Sequence, residues 1–380
     1  MVEIEDFFKM DDIYSIEPEK IEPLRLEIIK KAAMHHFEHC TPYKKICRKN
    51  NFNPVKDLKS YQDIKKIPWI TSKSFKKSYN LFKNLISVSE DKIVEWLHSS
   101  GTSGDPSYVG RDQKTLDRFR VAGTRSTGLI LDRDRFQMGI VFGPSPEMVK
   151  GLTFALGMDI WTKMCDNSIY LMKERREKGK IPIDIQLTIK SIKEAEAKKE
   201  VCFFGGAPAL AYFTLAKFHE QTGETFQLNE QSVGGGFGGG WKTFTGQQIS
   251  KDQFRKTLNK ILGIPIKNLR DTYALTESDI VFQECEEFVF HVPPWGDIII
   301  RDPETMAPVK KGEKGLINVI NPIAYSWPGI SVLLDDTATF NNNGKCKCGR
   351  YGKTFSDVGR AVGADARGCG AMITDLAEND

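Results

Sequence analysis

The sequence lacks any apolar run near the length of about 18 residues that a membrane-spanning helix requires. Its first residues, "MVEIEDFFKMDD", are acidic and have no apolar core, which argues against a signal peptide. The net charge is only +4, from 54 basic and 50 acidic residues, which is too weak to indicate nucleic-acid binding. There is no internal repeat and no long low-complexity segment. These absences leave a globular protein without a membrane span and without a nucleic-acid partner.

Cysteine is also scarce, with eight residues in a chain of 380. So few cysteines do not suggest a disulfide framework. Without an export signal we expect reduced thiols and a cytoplasmic location. The useful question about each cysteine is therefore whether it binds a metal or carries out catalysis.

What is present predicts an α/β fold with mainly parallel sheet. A helical pattern covers residues 22–39, and a second one is expected near Ser72–Ile86. Strand patterns then alternate with helical ones, and the strands are expected at 92–97, at 136–143, in "VCFFGG" and in "QSVGGG". From about Glu286 onward the helical patterns end and short strands follow one another, which indicates a β-rich subdomain.

The stretch "HSSGTSGDPS" (98–107) is the most distinctive. It follows a predicted strand and precedes a predicted helix. Glycines let a backbone approach a phosphate closely, and its N–H groups and hydroxyls supply donors. The spacing is not that of a Walker loop, and a solvated turn is the alternative. The glycines of "GGGFGGGW" match a dinucleotide pattern only weakly, because no helix opens cleanly after them.

Two further patterns carry chemistry. In "RDTYALTESD" (270–279), Glu277 can hold Mg²⁺, Thr276 can bind a phosphate oxygen and Tyr273 can stack on adenine, although a plain strand-end turn would look the same. A C-x5-H … C-x-C pattern offers the ligand set of a structural zinc site, with four unrelated residues as the alternative; its members are Cys285, His291, Cys346 and Cys348. "HHFEHC" (35–40) is better explained as ordinary helix residues.

The chain resembles the adenylate-forming acyl-activating superfamily, in its phenylacetate–CoA ligase branch. The motifs that carry this resemblance are, in order, "SSGTSG", "FGGAP", "GGGW", "DTYALTE", "LLDD" and "CGR…VGR". The chain resembles still more the acyl-protein synthetases of bacterial luminescence, through "GRD", "GGGWK", "HVPPW" and the late Gly-Cys, from about residue 35 to 372. This implies an α/β fold: the large N-terminal domain of an adenylate-forming enzyme, with parallel sheets flanked by helices and a smaller β-rich subdomain. The usual C-terminal mobile domain is expected to be absent.

The resemblance also implies roles for individual residues. The ATP phosphates would be held by Ser99, Ser100, Gly101, Thr102, Ser103 and Gly104. Thr276 would contact phosphate and Glu277 the Mg²⁺, while Gly235, Gly236 and Tyr273 would line the adenine. Asp336 would bind the ribose, with Arg350 as a second candidate, and Arg111 would contact phosphate or a partner. The resemblance to phenylacetate–CoA ligases also implies zinc bound by this Cys/His set.

Two departures from the superfamily bear on the organisation. The phosphate loop usually carries a lysine near position 107, where this chain has Ser107. The chain also stops near the usual hinge to a second domain, around "VGRAVGADARG", which favours the short acyl-protein synthetase type. We therefore expect a helical region at 1–90, an α/β nucleotide-binding core at 91–285, a β-rich subdomain at 286–360 and a mobile tail at 361–380.

The predicted reaction has two steps. A carboxylic acid, which we expect to be a fatty acid, attacks Mg·ATP to give acyl-AMP, and a thiol then takes the acyl group. Cys369, between Gly368 and Gly370, matches the acyl-accepting cysteine of the acyl-protein synthetases, and Arg367 could favour its thiolate. The acyl group would pass to a partner protein, a reductase or a carrier. The alternatives are an acyl- or aryl-CoA ligase, a carrier-protein loader, or a non-catalytic nucleotide-binding subunit of a biosynthetic complex.

Overall fold

The computed structural model describes residues 2–100, 105–172, 183–237 and 249–361. By their contacts the described residues form two compact units. The first unit takes its residues from Met1–Ser126, Ala274–Phe282 and Val289–Asp380, and the second from Thr127–Tyr273 and Gln283–Phe288. Both units are assembled from separate chain segments, whereas the predicted four regions are contiguous, and that partition stays a prediction.

The helices and strands have the following bounds. The α-helices are α1 (Ile4–Phe7), α2 (Pro18–His39), α3 (Thr41–Lys49), α4 (Pro54–Asp57), α5 (Gln113–Leu131), α6 (Thr153–Thr162), α7 (Ile185–Lys198), α8 (Pro208–Thr222) and α9 (Lys251–Leu262). The strands are β1 (Ile70–Thr71), β2 (Glu95–His98), β3 (Tyr108–Arg111), β4 (Phe136–Pro144), β5 (Cys165–Met172), β6 (Cys202–Gly206), β7 (Val233–Phe237), β8 (Thr272–Tyr273), β9 (Phe282–Glu284), β10 (Phe290–His291), β11 (Asp297–Arg301), β12 (Lys314–Ile320), β13 (Ser331–Lys345) and β14 (Tyr351–Arg360).

The second unit is built on a parallel sheet, in the strand order β5-β4-β6-β7. Alternate side chains of these strands enter two cores. Ile140 and Phe142 pack with buried residues of α7, α8 and α9, whereas Val141 and Phe203 pack with buried residues of α6. Helices therefore cover both faces, as near-continuous apolar strands such as "VCFFGG" predict. The predicted α/β fold with a parallel sheet is confirmed.

Local sequence signals fix the helix ends in this unit. The Asp184 side chain caps α7 by accepting from the Leu187 N–H (2.8 Å), and Ser250 caps α9 in the same way. Gly263 ends α9 in the left-handed conformation (φ 72°), where a residue with a Cβ would be strained.

The first unit contains a mostly antiparallel sheet, whose strands there run in the order β11-β12-β13-β14-β10. Its longest hairpin pairs β13 with β14, from Asp336 opposite Arg360 to Lys345 opposite Tyr351. This confirms the β-rich region expected after Glu286. No helix among the described residues is both long and apolar enough to span a membrane.

Two local predictions are wrong. The stretch Ser72–Ile86 is not a helix but a series of 3-10 turns at Ser72–Phe75, Lys77–Tyr79 and Phe82–Asn84, interrupted by left-handed Asn80 (φ 53°). The predicted phosphate loop does not lead directly into a helix. It connects β2 to the antiparallel strand β3, and α5 begins only after β3, so the loop is the connection of a hairpin.

Candidate nucleotide site and cysteine–histidine cluster

Both ends of the predicted phosphate loop are described, and they are fastened together. The Ser99 N–H donates to the Ser107 carbonyl oxygen (3.0 Å), and the Ser107 N–H donates to the Ser99 hydroxyl (3.0 Å). These reciprocal bonds close the base of the loop next to Ser100. The four residues at its centre, Gly101, Thr102, Ser103 and Gly104, lie outside the described residues, so their phosphate contacts stay predictions.

The turn that carries Thr276 and Glu277 is held by a buried ion pair. Arg111 and Asp279 are both fully buried, with 2.7 Å between Arg111 Nε and Asp279 Oδ1. Arg111 Nη2 also donates to the Thr276 carbonyl oxygen (2.7 Å), and Trp327 Nε1 donates to Asp279 (2.9 Å). A buried pair with so many hydrogen bonds fixes the backbone around it. Arg111 therefore positions this turn, and its burial rules out the suggested contact with a partner protein.

Glu277 is buried at the same turn, and burial raises the pKa of its carboxyl. The Ser107 hydroxyl and the charge of Lys76 act in the opposite direction because they favour the ionised form, whereas Asp336 disfavours it. The net rise in pKa means that the surrounding protein does not fully compensate a negative charge here. A bound cation would supply the missing compensation, so the predicted contact of Glu277 with Mg²⁺ is consistent with this environment and stays a prediction.

The Ser107 hydroxyl is itself unusual. The residue is fully buried, and its Oγ has no hydrogen-bond partner of ordinary geometry among the described residues. It nevertheless lies close enough to the Glu277 carboxyl to lower its pKa. An orphaned hydroxyl next to an under-compensated carboxyl is consistent with a site whose ligand completes it.

Asp336 and Arg350 do not lie together. Asp336 is in β13 near the open end of the β13–β14 hairpin, where its Oδ1 lies 3.2 Å from Arg360 Nε. Arg350 is at the tip of the hairpin, beyond Lys345, which is nine residues along β13 from Asp336, or about 30 Å at the usual rise per residue. Arg350 therefore cannot share one ribose with Asp336, and Arg360 is the arginine beside that carboxylate.

Gly235 and Gly236 lie in β7 of the second unit, and the structure gives a packing reason for both. A Cβ at Gly235 would lie 2.8 Å from the ring of Trp161, and one at Gly236 would lie 2.7 Å from Trp161 Nε1. Gly236 also has a φ of +57°. Tyr273 is in β8, next to Thr272, whose hydroxyl accepts from the Gly236 N–H (3.2 Å). The close backbone approach is explained; the adenine contact stays a prediction.

The four predicted zinc ligands come together. The ligand atoms of Cys285, His291, Cys346 and Cys348 all lie within 4.8 Å of one another. Cys346 and Cys348 are on the turn at the tip of the β13–β14 hairpin, which is tightened by a bond from the Gly349 N–H to the Cys346 carbonyl (3.0 Å). His291 is in β10 and is fully buried. The C-x-C spacing thus turns both sulfurs toward the same histidine.

The distance between two members of the cluster fits a tetrahedral metal site. Zinc bonds of about 2.3 Å to sulfur and about 2.0 Å to nitrogen place neighbouring ligand atoms about 3.5 Å apart. The distance from Cys348 Sγ to His291 Nε2 is 3.4 Å. The ring nitrogen that faces the Cys348 sulfur is therefore Nε2. The other ring nitrogen, Nδ1, is buried and has no hydrogen-bond partner among the described residues. The donor set fits zinc.

The cysteines outside the cluster are Cys369 and four residues that are buried or half-buried. Burial raises the thiol pKa to about 12 in Cys40, Cys47, Cys165 and Cys202, so none of them is a ready thiolate at neutral pH. None of the described cysteines forms a disulfide. Cys369, the predicted acyl acceptor, lies outside the described residues.

Sequence reasoning missed three side chains around the carboxylate turn. Asp279 stands within "TESD" and Arg360 follows the late "VG", so their motifs were visible but their partners were not. Lys76 lies in a stretch that was predicted to be helical, and no local signal connects it to a loop about 30 residues later. Only the tertiary structure reveals that connection.

The sequence matches the family model described as "Acyl-protein synthetase, LuxE" over residues 1–377. Among curated proteins, it is 25% identical to the long-chain-fatty-acid–luciferin-component ligase of Vibrio harveyi, over 100% of this chain and 95% of that protein. The protein of the same name from Aliivibrio fischeri is also 25% identical, over 88% of this chain and 84% of its own length. A phenylacetate–coenzyme A ligase from Aromatoleum evansii is 27% identical over 31% of this chain and 26% of that protein.

Among solved structures, a 2-hydroxyisobutyryl-CoA ligase in complex with 2-HIB-AMP and CoA superposes with a TM-score of 0.67 at 15% sequence identity. The match covers 90% of this chain and 68% of that chain. It confirms the predicted fold of an adenylate-forming enzyme. The family model and the full-length relatives, which are named as ligases, confirm that this protein is a ligase. The chain belongs to the acyl-protein synthetase (LuxE) family.

Proposed function

We propose that this protein activates a long-chain fatty acid with Mg·ATP, stores the acyl group as a thioester on Cys369 and passes it to a partner protein. The observation that supports this most is the buried Glu277 carboxyl beside the orphaned Ser107 hydroxyl, at the closed base of a Ser/Thr/Gly loop. The acid is suggested by the name of the full-length relatives. A reductase or a carrier protein is the proposed acceptor.

In the first step, a carboxylate oxygen of the acid bonds to the α-phosphorus of ATP. The bond from that phosphorus to the bridging oxygen breaks, and pyrophosphate leaves with the electron pair. The protein has to align the reactants and balance charge. Glu277 would hold Mg²⁺, which neutralises phosphate charge when bound, and Thr276 would donate to a phosphate oxygen.

Other predicted residues would hold the ribose and the adenine of ATP. Asp336, at the open end of the hairpin, would accept from the ribose hydroxyls. Gly235 and Gly236 would let adenine approach their backbone, and Tyr273 would stack on it. Arg350 is left out of this proposal because of its position at the hairpin tip.

In the second step, the Cys369 thiolate attacks the acyl carbonyl, and AMP leaves with the electrons of the acyl–phosphate bond. Elimination supports this choice. Four of the eight cysteines have thiol pKa values of about 12. Three others belong to the Cys/His cluster, which leaves Cys369. A reducing cytoplasm is the proposed location because the acceptor thiol has to stay reduced.

We also propose that the Cys/His cluster holds a structural Zn²⁺. Four protein ligands would close the coordination shell and leave no position for a substrate. The ion would tie the hairpin tip to His291, so its contribution is to stability rather than to acyl transfer.

One experiment tests the sequence of steps. Exchange of labelled pyrophosphate into ATP is measured with carboxylic acids of varied length and aromaticity, and labelled fatty acid is then followed onto the protein. We expect exchange with long-chain acids and a hydroxylamine-labile label. In the Cys369→Ser variant, exchange should remain while the thioester is lost. A thioester on that variant would contradict the assignment of Cys369.

The alternatives give different results in the same assay. CoA consumption without an acyl-enzyme would indicate an acyl-CoA ligase. Absence of carboxylate-dependent exchange with every acid would indicate a non-catalytic nucleotide-binding subunit.

A further inference from the structure

A segment far upstream in the sequence is fastened to the end of the predicted phosphate loop. Lys76 forms an isolated antiparallel bridge with Ser107, and the Lys77 N–H donates to the Pro106 carbonyl (3.0 Å). The Asp105 carboxylate accepts from both the backbone N–H (3.0 Å) and the hydroxyl (2.5 Å) of Ser78. These contacts hold residues 76–78 alongside residues 105–107.

The bridge determines where the Lys76 side chain emerges. Directly opposed residues of an antiparallel pair have their side chains on the same face, with Cβ atoms about 5 Å apart. Lys76 therefore shares a face with the orphaned hydroxyl of Ser107. Its charge also acts on the buried Glu277 carboxyl. Lys76 itself is half-buried and forms no ion pair with any described residue.

We propose that Lys76 is a phosphate-binding residue of this protein, which places its ammonium group on the β- or γ-phosphate of ATP and on the departing pyrophosphate. The inference rests on the proposed function and names a further residue for it. An ammonium on a flexible four-carbon stem suits a point contact with phosphate. Next to it, Ser107 supplies a buried hydroxyl and Glu277 supplies the carboxylate proposed to hold Mg²⁺. Together, the three groups would bind a phosphate and its Mg²⁺ at one site.

This arrangement explains how the phosphate loop can have Ser107 where the superfamily usually has a lysine. The positive charge comes from the residue paired with Ser107 across the bridge, not from position 107 itself. When the α-phosphorus–oxygen bond breaks, the leaving pyrophosphate gains negative charge. An ammonium already held beside it stabilises that charge without reorganisation.

The test compares Lys76→Met with Lys77→Met. Methionine keeps the apolar stem and removes the charge. Lys77 is the matched control because it is adjacent and exposed and uses only its backbone N–H to contact the loop. We expect Lys76→Met to weaken binding of Mg·ATP and of pyrophosphate about tenfold to a hundredfold, with a similar loss in exchange. Lys77→Met should stay within about twofold, and Lys76→Arg should recover part of the loss, since it restores a charged donor.

A second arm separates direct contact from an effect through Glu277. Pyrophosphate binding is measured in EDTA, where Glu277 has no metal to hold. The penalty of Lys76→Met should persist there. A penalty seen only with Mg²⁺ would mean that Lys76 acts by helping Glu277 to hold the metal, not by contacting phosphate, and it would overturn the proposal. Melting temperatures of the three variants show whether each one is folded.

The outcomes also separate this inference from the proposed function. If the wild-type protein exchanges pyrophosphate and Lys76→Met does so equally well, the role of Lys76 is wrong while acid activation stands. If the wild type shows no exchange with any acid but binds Mg·ATP in a Lys76-dependent way, acid activation is wrong and the phosphate site stands. Absence of both exchange and binding in the wild type would overturn both.

Discussion

The two ends of the β13–β14 hairpin differ in what they expose and in what they hold. At the open end, Asp336 pairs with Arg360, whose side chain is 78% exposed, and the charge of Asp336 acts on Glu277. At the tip, Cys346 and Cys348 turn inward toward the fully buried His291. The same pair of strands therefore carries a carboxylate that acts on Glu277 at one end and a Cys/His cluster at the other.

This difference predicts a division of labour. A largely exposed ion pair contributes only about 0–1 kcal/mol to stability. Residues at the open end can therefore be changed at little cost in stability. A structural metal site contributes to folding directly, because its ligands converge only in the folded chain. Changes near the open end should therefore affect activity, and changes at the tip should affect stability.

Glu277→Gln should give the largest effect on activity. Glutamine keeps the shape of the side chain but cannot hold Mg²⁺ as a carboxylate does. We expect exchange to fall by about 100-fold or more, which is typical for loss of one preorganised electrostatic group. Because burial raises the pKa of Glu277, ionisation at this position costs stability, and the melting temperature at pH 7 should stay equal or rise.

A large fall in the melting temperature of Glu277→Gln would contradict this view, since it would make the carboxyl a structural group. The exchange assay and thermal unfolding are therefore run on the same preparation. Retention of full exchange would remove Glu277 from the proposed metal site.

Cys346→Ser should give the largest effect on stability. It removes one sulfur of the cluster, and we expect the free energy of unfolding to fall by about 4 kcal/mol or more, as for other lost metal sites. Metal analysis should find zinc in the wild type and little in the variant. Cys165→Ser is the matched control, because Cys165 is half-buried outside the cluster and its sulfur donates to a backbone carbonyl.

If the wild type holds no zinc and Cys346→Ser is as stable as Cys165→Ser, the cluster is not a metal site. Residual exchange in Cys346→Ser at a temperature where it remains folded should be close to wild type. A specific loss of exchange there would break the proposed division between the two ends.

Much of the fold could be predicted from periodicity. The parallel strands β4 and β6 lie where their patterns place them, because buried strands carry their burial in the local sequence. The turns between Ser72 and Asn84 could not be predicted. That stretch takes its conformation from contacts with residues 105–107, and only the folded chain supplies them.

The candidate site divides in a similar way. The four members of the Cys/His cluster could be named from residue type and spacing, since few other side chains bind zinc. Arg111 was identified as important, but its role could not be read, because a buried arginine and a phosphate-binding arginine look alike in sequence. Its partner Asp279 shows that it positions the turn. Arg350 was grouped with Asp336 by motif order, which carries no information about distance along a hairpin.

Asp336→Asn and Arg350→Ala give the smallest expected effects and compare the two ends directly. Asparagine at position 336 loses the charged acceptor for the ribose hydroxyls. We expect the KM for ATP to rise about tenfold, the value of one hydrogen bond to a charged group. Stability should change by less than about 1 kcal/mol, because Arg360, its ion-pair partner, has a largely exposed side chain.

Arg350→Ala keeps the backbone carbonyl that accepts from the Cys346 N–H (2.8 Å), so the tip should retain its fold. Because Arg350 lies about 30 Å along the strands from Asp336, the KM of the Arg350→Ala variant for ATP should stay within about twofold of the wild-type value. Steady-state exchange at varied ATP concentration measures both variants. If Arg350→Ala raised the KM for ATP as much as Asp336→Asn does, the proposed separation of the two ends would be wrong. A change at the tip of the hairpin would then affect ATP binding.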